Sequence, residues 1–291
     1  MTRNKKETKI VQNRIAKELR QHLNSTGHGH TTTLQIAVCG SSGKGVASDQ
    51  SDFDVKVLLL HPQKEYLLQN VKGSWHSTFT FEYKVEANGV VTTTMIEVDA
   101  MFIDYLRLVK YIVKSDMTAY EMFAADIIHT TPEAKALEGL WKKAYRPEIL
   151  FGQYSGLLQS YLKKPRNKKK DQESSGGRSN KVAFEAVYLE LKLRFLEKHG
   201  TSEIPPFKAF ELVQRSEITP EEQEWAEDLL IVRRERKNED FDSKHVEKFD
   251  AFVRSGAAGK VRIMWDADPM DRETIRRQLE ILFLGAITER Q

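Results

Sequence analysis

The chain has 291 residues, 40% of them hydrophobic and 30% charged, which is enough apolar material for one large domain or two closely packed ones and too much for a disordered chain. Its formal charge of +3 comes from 45 Lys and Arg against 42 Asp and Glu, so charge alone does not mark a nucleic-acid binder and any basic surface must be local. A single cysteine, Cys39, excludes an internal disulfide and a paired thiolate metal motif, while a charged amino terminus and short apolar runs argue against a signal peptide and a membrane span; a soluble protein in a reducing cytoplasm, with no membrane partner, is expected.

Across Lys5 to Leu23, Val11, Ile15, Leu19 and Leu23 recur four apart, which predicts an amphipathic opening helix. The polar linker STGHGHTTT follows, and then LQIAVCG, a short buried strand ending on glycine. A loop of small residues, SSGKGVASDQSD, leads into a second strand, FDVKVLLLHP, closed by proline. Phe79 to Val85 and Val90 to Ala100 read as two further strands joined by the turn EANG. From Phe102 the period changes: Tyr105, Leu108, Val109, Ile112 and Val113 mark a buried helix face, and Tyr120 to Phe123 opens another helix. From Glu133 onward the pattern is largely helical, including Phe151 to Leu162, Val182 to Lys198, Glu221 to Glu235 and Arg272 to Leu284. The expected class is α+β: a small mixed β-sheet with helices over residues 1–130, then a helical domain over residues 131–291. Within that helical part, KKPRNKKKDQESSGGRSN at 163–180 is basic, then rich in serine and glycine, and is expected to be a flexible loop.

The segment that carries chemistry is Gly40-Ser41, ten intervening residues, and Asp52-Phe53-Asp54, with an apolar strand on either side. Asp52 and Asp54 are two apart on a strand, so both leave one face while Phe53 and Val55 turn inward. Two such carboxylates are a hard-oxygen site of the kind that holds magnesium together with a substrate's phosphates. Phosphoryl and nucleotidyl transfer commonly use two ions roughly 3.5 to 4 Å apart, and a second ion needs a further ligand. The strand TMIEVDA offers Glu97 and Asp99, again two apart on one face, and alternation cannot choose between them. Backbone amides around Gly40, Ser41 and Ser42 suit a triphosphate, because glycine allows close approach and exposed amides attract anions. Lys44 either touches phosphate or is a solvated loop lysine. An isolated Asp-x-Asp is usually a solvated strand boundary; the Gly-Ser strand end, the apolar flanks and the later acidic strand select catalysis here.

The segment GSSGKGVASDQSDFDVK resembles the GSxxxG…SDxD signature of the DNA polymerase beta-like nucleotidyltransferase superfamily, and most of all its RNA-repair-associated subfamily of bacteria and phages. DYLRLVKYIVKSDMTAYEMF, from Asp104 to Phe123, is similar to that subfamily's helix and following "SNPT…E" stretch. In the same register Asp99 falls where the family carries its third acid, five residues before Asp104. A thinner likeness runs from Lys181 to Leu196, where Phe184 and Tyr188 stand at family positions and a family cation is absent. The resemblance covers roughly residues 35–200. It implies transfer of a nucleoside monophosphate from an NTP to a hydroxyl acceptor, an RNA end by family association, in a bacterial cytoplasm or a phage host's. It also implies two Mg2+ ions, with Mn2+ as a substitute, held by Asp52, Asp54 and Asp99, with Glu97 the alternative third acid. Gly40, Ser41, Ser42 and Lys44 would meet the nucleotide.

GSSGKG is not a P-loop, which would need glycine at Val38 and Ser or Thr at Gly45. His28 and His30 flank a glycine in a polar linker and read as surface residues. Lys163, Lys164, Arg166, Lys168, Lys169 and Lys170 form a run that either contacts nucleic-acid phosphates or is simply solvated; no aromatic is interleaved to stack bases. Nucleotidylation of a protein or small molecule, and a catalytically silent RNA-binding module on the same fold, are the rival readings. The preferred NTP and the oligomeric state are not encoded in any legible pattern.

Overall fold

A computed structural model of the chain describes residues 5–48, 51–87, 90–163, 180–200, 202–235, 243–254, 256 and 271–288. Helix α1 (Lys5–Ser25) precedes strand β1 (Thr32–Val38), the one-turn helix α2 (Gly40–Lys44), β2 (Phe53–Leu60), the short helix α3 (Gln63–Leu67), and the long strands β3 (Ser74–Ala87) and β4 (Val90–Asp104). Then come α4 (Tyr105–Val113), α5 (Met117–Ala124), β5 (Asp126–Thr130) and α6 (Pro132–Ala144). Each of the last three helices has a polar cap: Asp104 accepts from the Leu106 amide, Asp116 from the Thr118 amide and Thr131 from the Ala134 amide.

The five strands form one sheet in the order β3-β4-β2-β1-β5. Only β2 and β4 are parallel; the other neighbours are antiparallel. The class is therefore α+β with a mixed sheet, as expected. One face of the sheet is covered by α1, whose Val11, Ile15, Leu19 and Leu23 pack with Ile36, Val38, Phe53, Val55, Val57, Val98, Ala100 and Phe102. That burial is the consequence of the four-residue spacing in α1 meeting the two-residue alternation of the strands. Some boundaries differ from the sequence reading. β3 starts at Ser74 rather than Phe79, β4 continues through Asp104 rather than stopping at Ala100, α5 starts at Met117, and β5 is an additional strand.

The chain divides into two compact units that do not follow a single cut. The first comprises Met1–Lys44, Asp49–Tyr145 and Pro269–Gln291, so α12 (Arg272–Thr288) joins the sheet unit and packs on α4 and α6. Phe283 of α12 meets the rings of Tyr66 and Tyr105, at 5.0 and 5.5 Å between centroids. The second unit comprises Gly45–Ser48 and Arg146–Asp268, built from α7 (Pro147–Lys163), α8 (Asn180–His199), α9 (Ala209–Arg215), α10 (Pro220–Glu235) and α11 (Ser243–Arg254).

Helix α8 is the axis of the second unit and is buried even at charged positions. The Arg194 guanidinium donates to Glu190, Glu222 and the Phe252 carbonyl, and the Lys192 ammonium lies over the rings of Tyr188 and Tyr154, at 4.5 and 4.7 Å. Phe184 and Tyr188 are core residues here, stacked 5.8 Å apart, and the Tyr188 hydroxyl donates to the Phe207 carbonyl. Among the described residues no helix is long and apolar enough to cross a membrane.

Candidate active site

β1 and β2 are antiparallel neighbours, and the link between them builds the site. Beyond β1, the Cys39 amide donates to the Asp54 carbonyl at 2.7 Å, and the Gly43 amide donates back to the Cys39 carbonyl at 2.7 Å, closing the turn of α2. Gly40 takes φ +53°, and a Cβ at that position would collide with the Asp54 carboxylate. Both the left-handed conformation and the close approach require glycine. The Ser42 hydroxyl donates to the Asp52 carbonyl at 3.3 Å. Gly40 thus lies against the Asp54 carboxylate and Ser42 against the Asp52 backbone; Asp52 itself stands one residue before β2 and outside its ladders, rather than on the strand as the spacing suggested.

Asp54 is the ladder partner of Asp99 on parallel strand β4. Ladder partners share a face and their strands lie about 4.8 Å apart, so the two carboxylates leave the sheet side by side. The alternation is clean: Phe53, Val55, Val98 and Ala100 are buried on the α1 face, and Asp54 and Asp99 are partly exposed on the other. Glu97 shares that outer face but lies one residue before the first ladder pair, Phe53 with Val98, and is exposed opposite Thr80. The Asp99 side chain is 44% exposed, and His76 Nδ1 stands 3.9 Å from its Oδ1, beyond hydrogen-bond length.

Two residues beyond Asp54 on the same face, the Lys56 ammonium lies 2.8 Å from Glu121 Oε2 of α5 and 3.7 Å from the Met101 sulfur. Burial opposes the charge of Lys56, but Glu121, Cys39 and Asp54 outweigh it and hold its pKa above the usual lysine value. The Cys39 thiol, buried and facing Glu121, is pushed up to about 12 and stays protonated. Lys44 is only 8% exposed and its charge acts on Cys39, so it is not a solvated loop lysine.

The donor set suits a hard divalent cation. No group of three His, Cys, Asp or Glu side chains forms a ready-made metal cage among the described residues. Magnesium seldom uses one: it is commonly held by one or two carboxylates with the remaining ligands from water and substrate phosphate, which the Asp54 and Asp99 pair permits.

Sequence reasoning missed His76, Lys56 and Glu121. The alternation Asp52, Asp54, Lys56 contained the signal for the lysine, whereas its partner on α5 is set only by the tertiary fold. The basic run falls outside the described residues from Lys164 onward, including Arg166, Lys168, Lys169 and Lys170, and only the backbone of Lys163 is described, at the end of α7. His28 and His30 do have partners. The His28 ring lies 4.7 Å from that of Trp75, and the His30 ring 6.1 Å from that of His61, at the end of the sheet away from Asp52.

A family model described as RlaP, the RNA repair pathway DNA polymerase beta family, matches residues 11–276. No curated protein matches the chain. A crystal structure of a nucleotidyltransferase-like protein from Exiguobacterium sibiricum is similar over 95% of this chain and 89% of its own, at 13% identity, but with a TM-score of 0.27 the superposition is too loose to carry an argument. The family match spans nearly the whole chain, including the sheet that sets Asp54 beside Asp99: the chain belongs to the RNA repair pathway DNA polymerase beta family and is a DNA polymerase beta-like nucleotidyltransferase.

Proposed function

We propose that the protein transfers a nucleoside monophosphate from an NTP to the hydroxyl of an RNA end, releasing pyrophosphate. The observation that carries this reading is the ladder opposition of Asp54 and Asp99 on the sheet face away from α1, both partly exposed, with Gly40 packed against the Asp54 carboxylate. The choice of RNA rests on the family's description.

Asp52, Asp54 and Asp99 would hold Mg2+, or Mn2+ in its place, which when bound supplies charge neutralisation on the phosphate being transferred. The chain's own groups then have separate tasks. Amides around Gly40, Ser41 and Ser42, at the start of α2, align the triphosphate, because exposed backbone amides attract anions, and Gly40 lets the Asp54 carboxylate come close beside them. Asp99, whose side chain is 44% exposed, orients the acceptor hydroxyl and takes its proton. The acceptor oxygen then bonds to the α-phosphorus as the bond to the bridging oxygen breaks, and pyrophosphate leaves with that electron pair.

A second reading has one observation in its favour. On the face that carries Asp99, Glu97 and Glu82 are exposed along the β3–β4 ribbon against a single exposed lysine among the described residues, Lys84, which suits an acceptor that lays no phosphodiester backbone there, such as a protein side chain or a small molecule. Incubation with each α-labelled NTP, Mg2+ and pooled RNA, DNA or cell lysate separates the readings. Label entering RNA, with stoichiometric pyrophosphate, is the expected result. Label on protein or a small molecule transfers the assignment to the second reading, and no label in any pool contradicts both.

A further inference from the structure

Lys56 and Glu121 form an ion pair that the transfer reaction, as set out above, does not use. Their side chains are 15% and 24% exposed, so neither charge is freely solvated, and holding them there has a desolvation cost. A pair that only tied α5 to the sheet could be replaced by two apolar residues of similar size, often without loss. Its location is what distinguishes it. Lys56 follows Asp54 by two residues, so the ammonium stem leaves the same face as the Asp54 carboxylate. Its ladder partner on β4 is Met101, two residues beyond Asp99 on that same face.

We propose that the Lys56–Glu121 pair is a positioning device that sets the net charge beside Asp54, and through it how tightly a divalent cation is held there. Intact, the pair adds no net charge. Glu121 prevents the Lys56 ammonium from repelling the cation, and Lys56 prevents Glu121 from adding a further anion, beyond Asp52, Asp54 and Asp99, that would over-tighten the site. Two residues along a strand is a backbone step of about 7 Å, and at a separation of that order a unit charge changes the affinity of a doubly charged ion by about tenfold even when screening is nearly that of water.

The inference rests on the proposed metal-dependent transfer, and one experiment separates the two. Mn2+ alone is titrated into the full chain and bound ion is read by electron paramagnetic resonance, for the parent, Asp54→Asn, Glu121→Gln, Lys56→Met and the Lys56→Met/Glu121→Gln double variant. Glu121→Gln is expected to weaken Mn2+ binding about tenfold, Lys56→Met to strengthen it by a similar factor, and the double variant to return to within about threefold of the parent. Both single variants leave a charge uncompensated and so lose stability in the same direction; stability loss cannot produce shifts of opposite sign. Glu121→Gln is nearly isosteric, so with the double variant it decides the matter even if Lys56→Met fails to fold. Shifts of the same sign, or none, with Asp54→Asn still abolishing binding, overturn the role of the pair alone. Mn2+ binding that survives Asp54→Asn overturns the metal assignment, and this inference with it.

Discussion

Asp99 and Asp104 lie five residues apart on β4, and the fold treats them in opposite ways. Asp104 is 2% exposed and both its oxygens are engaged: Oδ1 accepts from the Leu106 amide at 2.9 Å and Oδ2 from the Tyr66 hydroxyl at 2.6 Å. Burial raises its pKa even though those hydrogen bonds act the other way. Asp99 is open, makes no hydrogen bond among the described residues, and faces outward beside Asp54. The same contrast extends to the two ends of the sheet. At the Gly40 end, carboxylates are kept accessible. At the far end, His61 is buried with Nε2 unpartnered, and burial together with His30 and His28 lowers its pKa to about 4, so it is stored neutral. A carboxylate whose oxygens are all satisfied is holding the structure; one left open beside a second carboxylate is available to a ligand.

The largest expected effect lies at the open end. Asp52→Asn and Asp54→Asn should each reduce nucleotide transfer at least about a hundredfold with the melting temperature nearly unchanged, since each removes a charge from a partly exposed site. Near-parental turnover in both would erase the distinction between the two ends. Asp99→Ala should lower single-turnover rate severely while NTP affinity changes little, and Glu97→Ala should be milder, because only Asp99 stands in the ladder opposite Asp54. The reverse ranking would move the role to Glu97.

The far end should respond to pH instead. His61 titrates near 6.5 when unfolded and near 4 when folded, so between those values the unfolded chain binds the extra proton. Stability is therefore full above about pH 6.5 and falls as pH drops through that window, by at most about 3 kcal/mol from this residue. His22 and His28, also lowered by burial, act in the same direction. Chemical denaturation of His61→Gln from pH 7 to 4.5 should show a flatter profile than the parent; an identical slope would remove His61 as the cause. Asp104→Ala should show the smallest effect, about 2 kcal/mol of stability from a lost helix cap and a stranded Tyr66 hydroxyl, with NTP affinity retained. Loss of NTP binding without loss of stability would place Asp104 in the site after all.

Much of the fold is legible wherever burial follows a simple period. Val11, Ile15, Leu19 and Leu23 announce α1, and the alternation around Phe53 and Val55 fixes which way Asp54 points. Legibility fails where the determinant is distant or the pattern is broken. β5 is five residues long with no regular alternation of burial, and it is specified by its ladder with β1 rather than by its own sequence. Ser77, inward between Trp75 and Phe79, interrupts the apolar alternation that would have extended β3 to its start. α12 joins the sheet unit through contacts with α4 and α6 that no local pattern contains. At the candidate site, alternation places Glu97 and Asp99 on one face, but only the strand order sets Asp99 against Asp54. Glu121 is 65 residues from Lys56, and no spacing rule connects a helix residue to a strand residue at that distance.

The most direct test of the account is to locate the ion itself. Crystals grown with Mn2+ and a non-hydrolysable α,β-methylene NTP should show anomalous density within bonding distance of carboxylate oxygens of Asp52 and Asp54, with Asp99 adjoining one ion and the triphosphate against the Gly40–Ser42 backbone. Ordered Mn2+ and nucleotide bound elsewhere, with the Asp54 and Asp99 carboxylates unliganded, would contradict it.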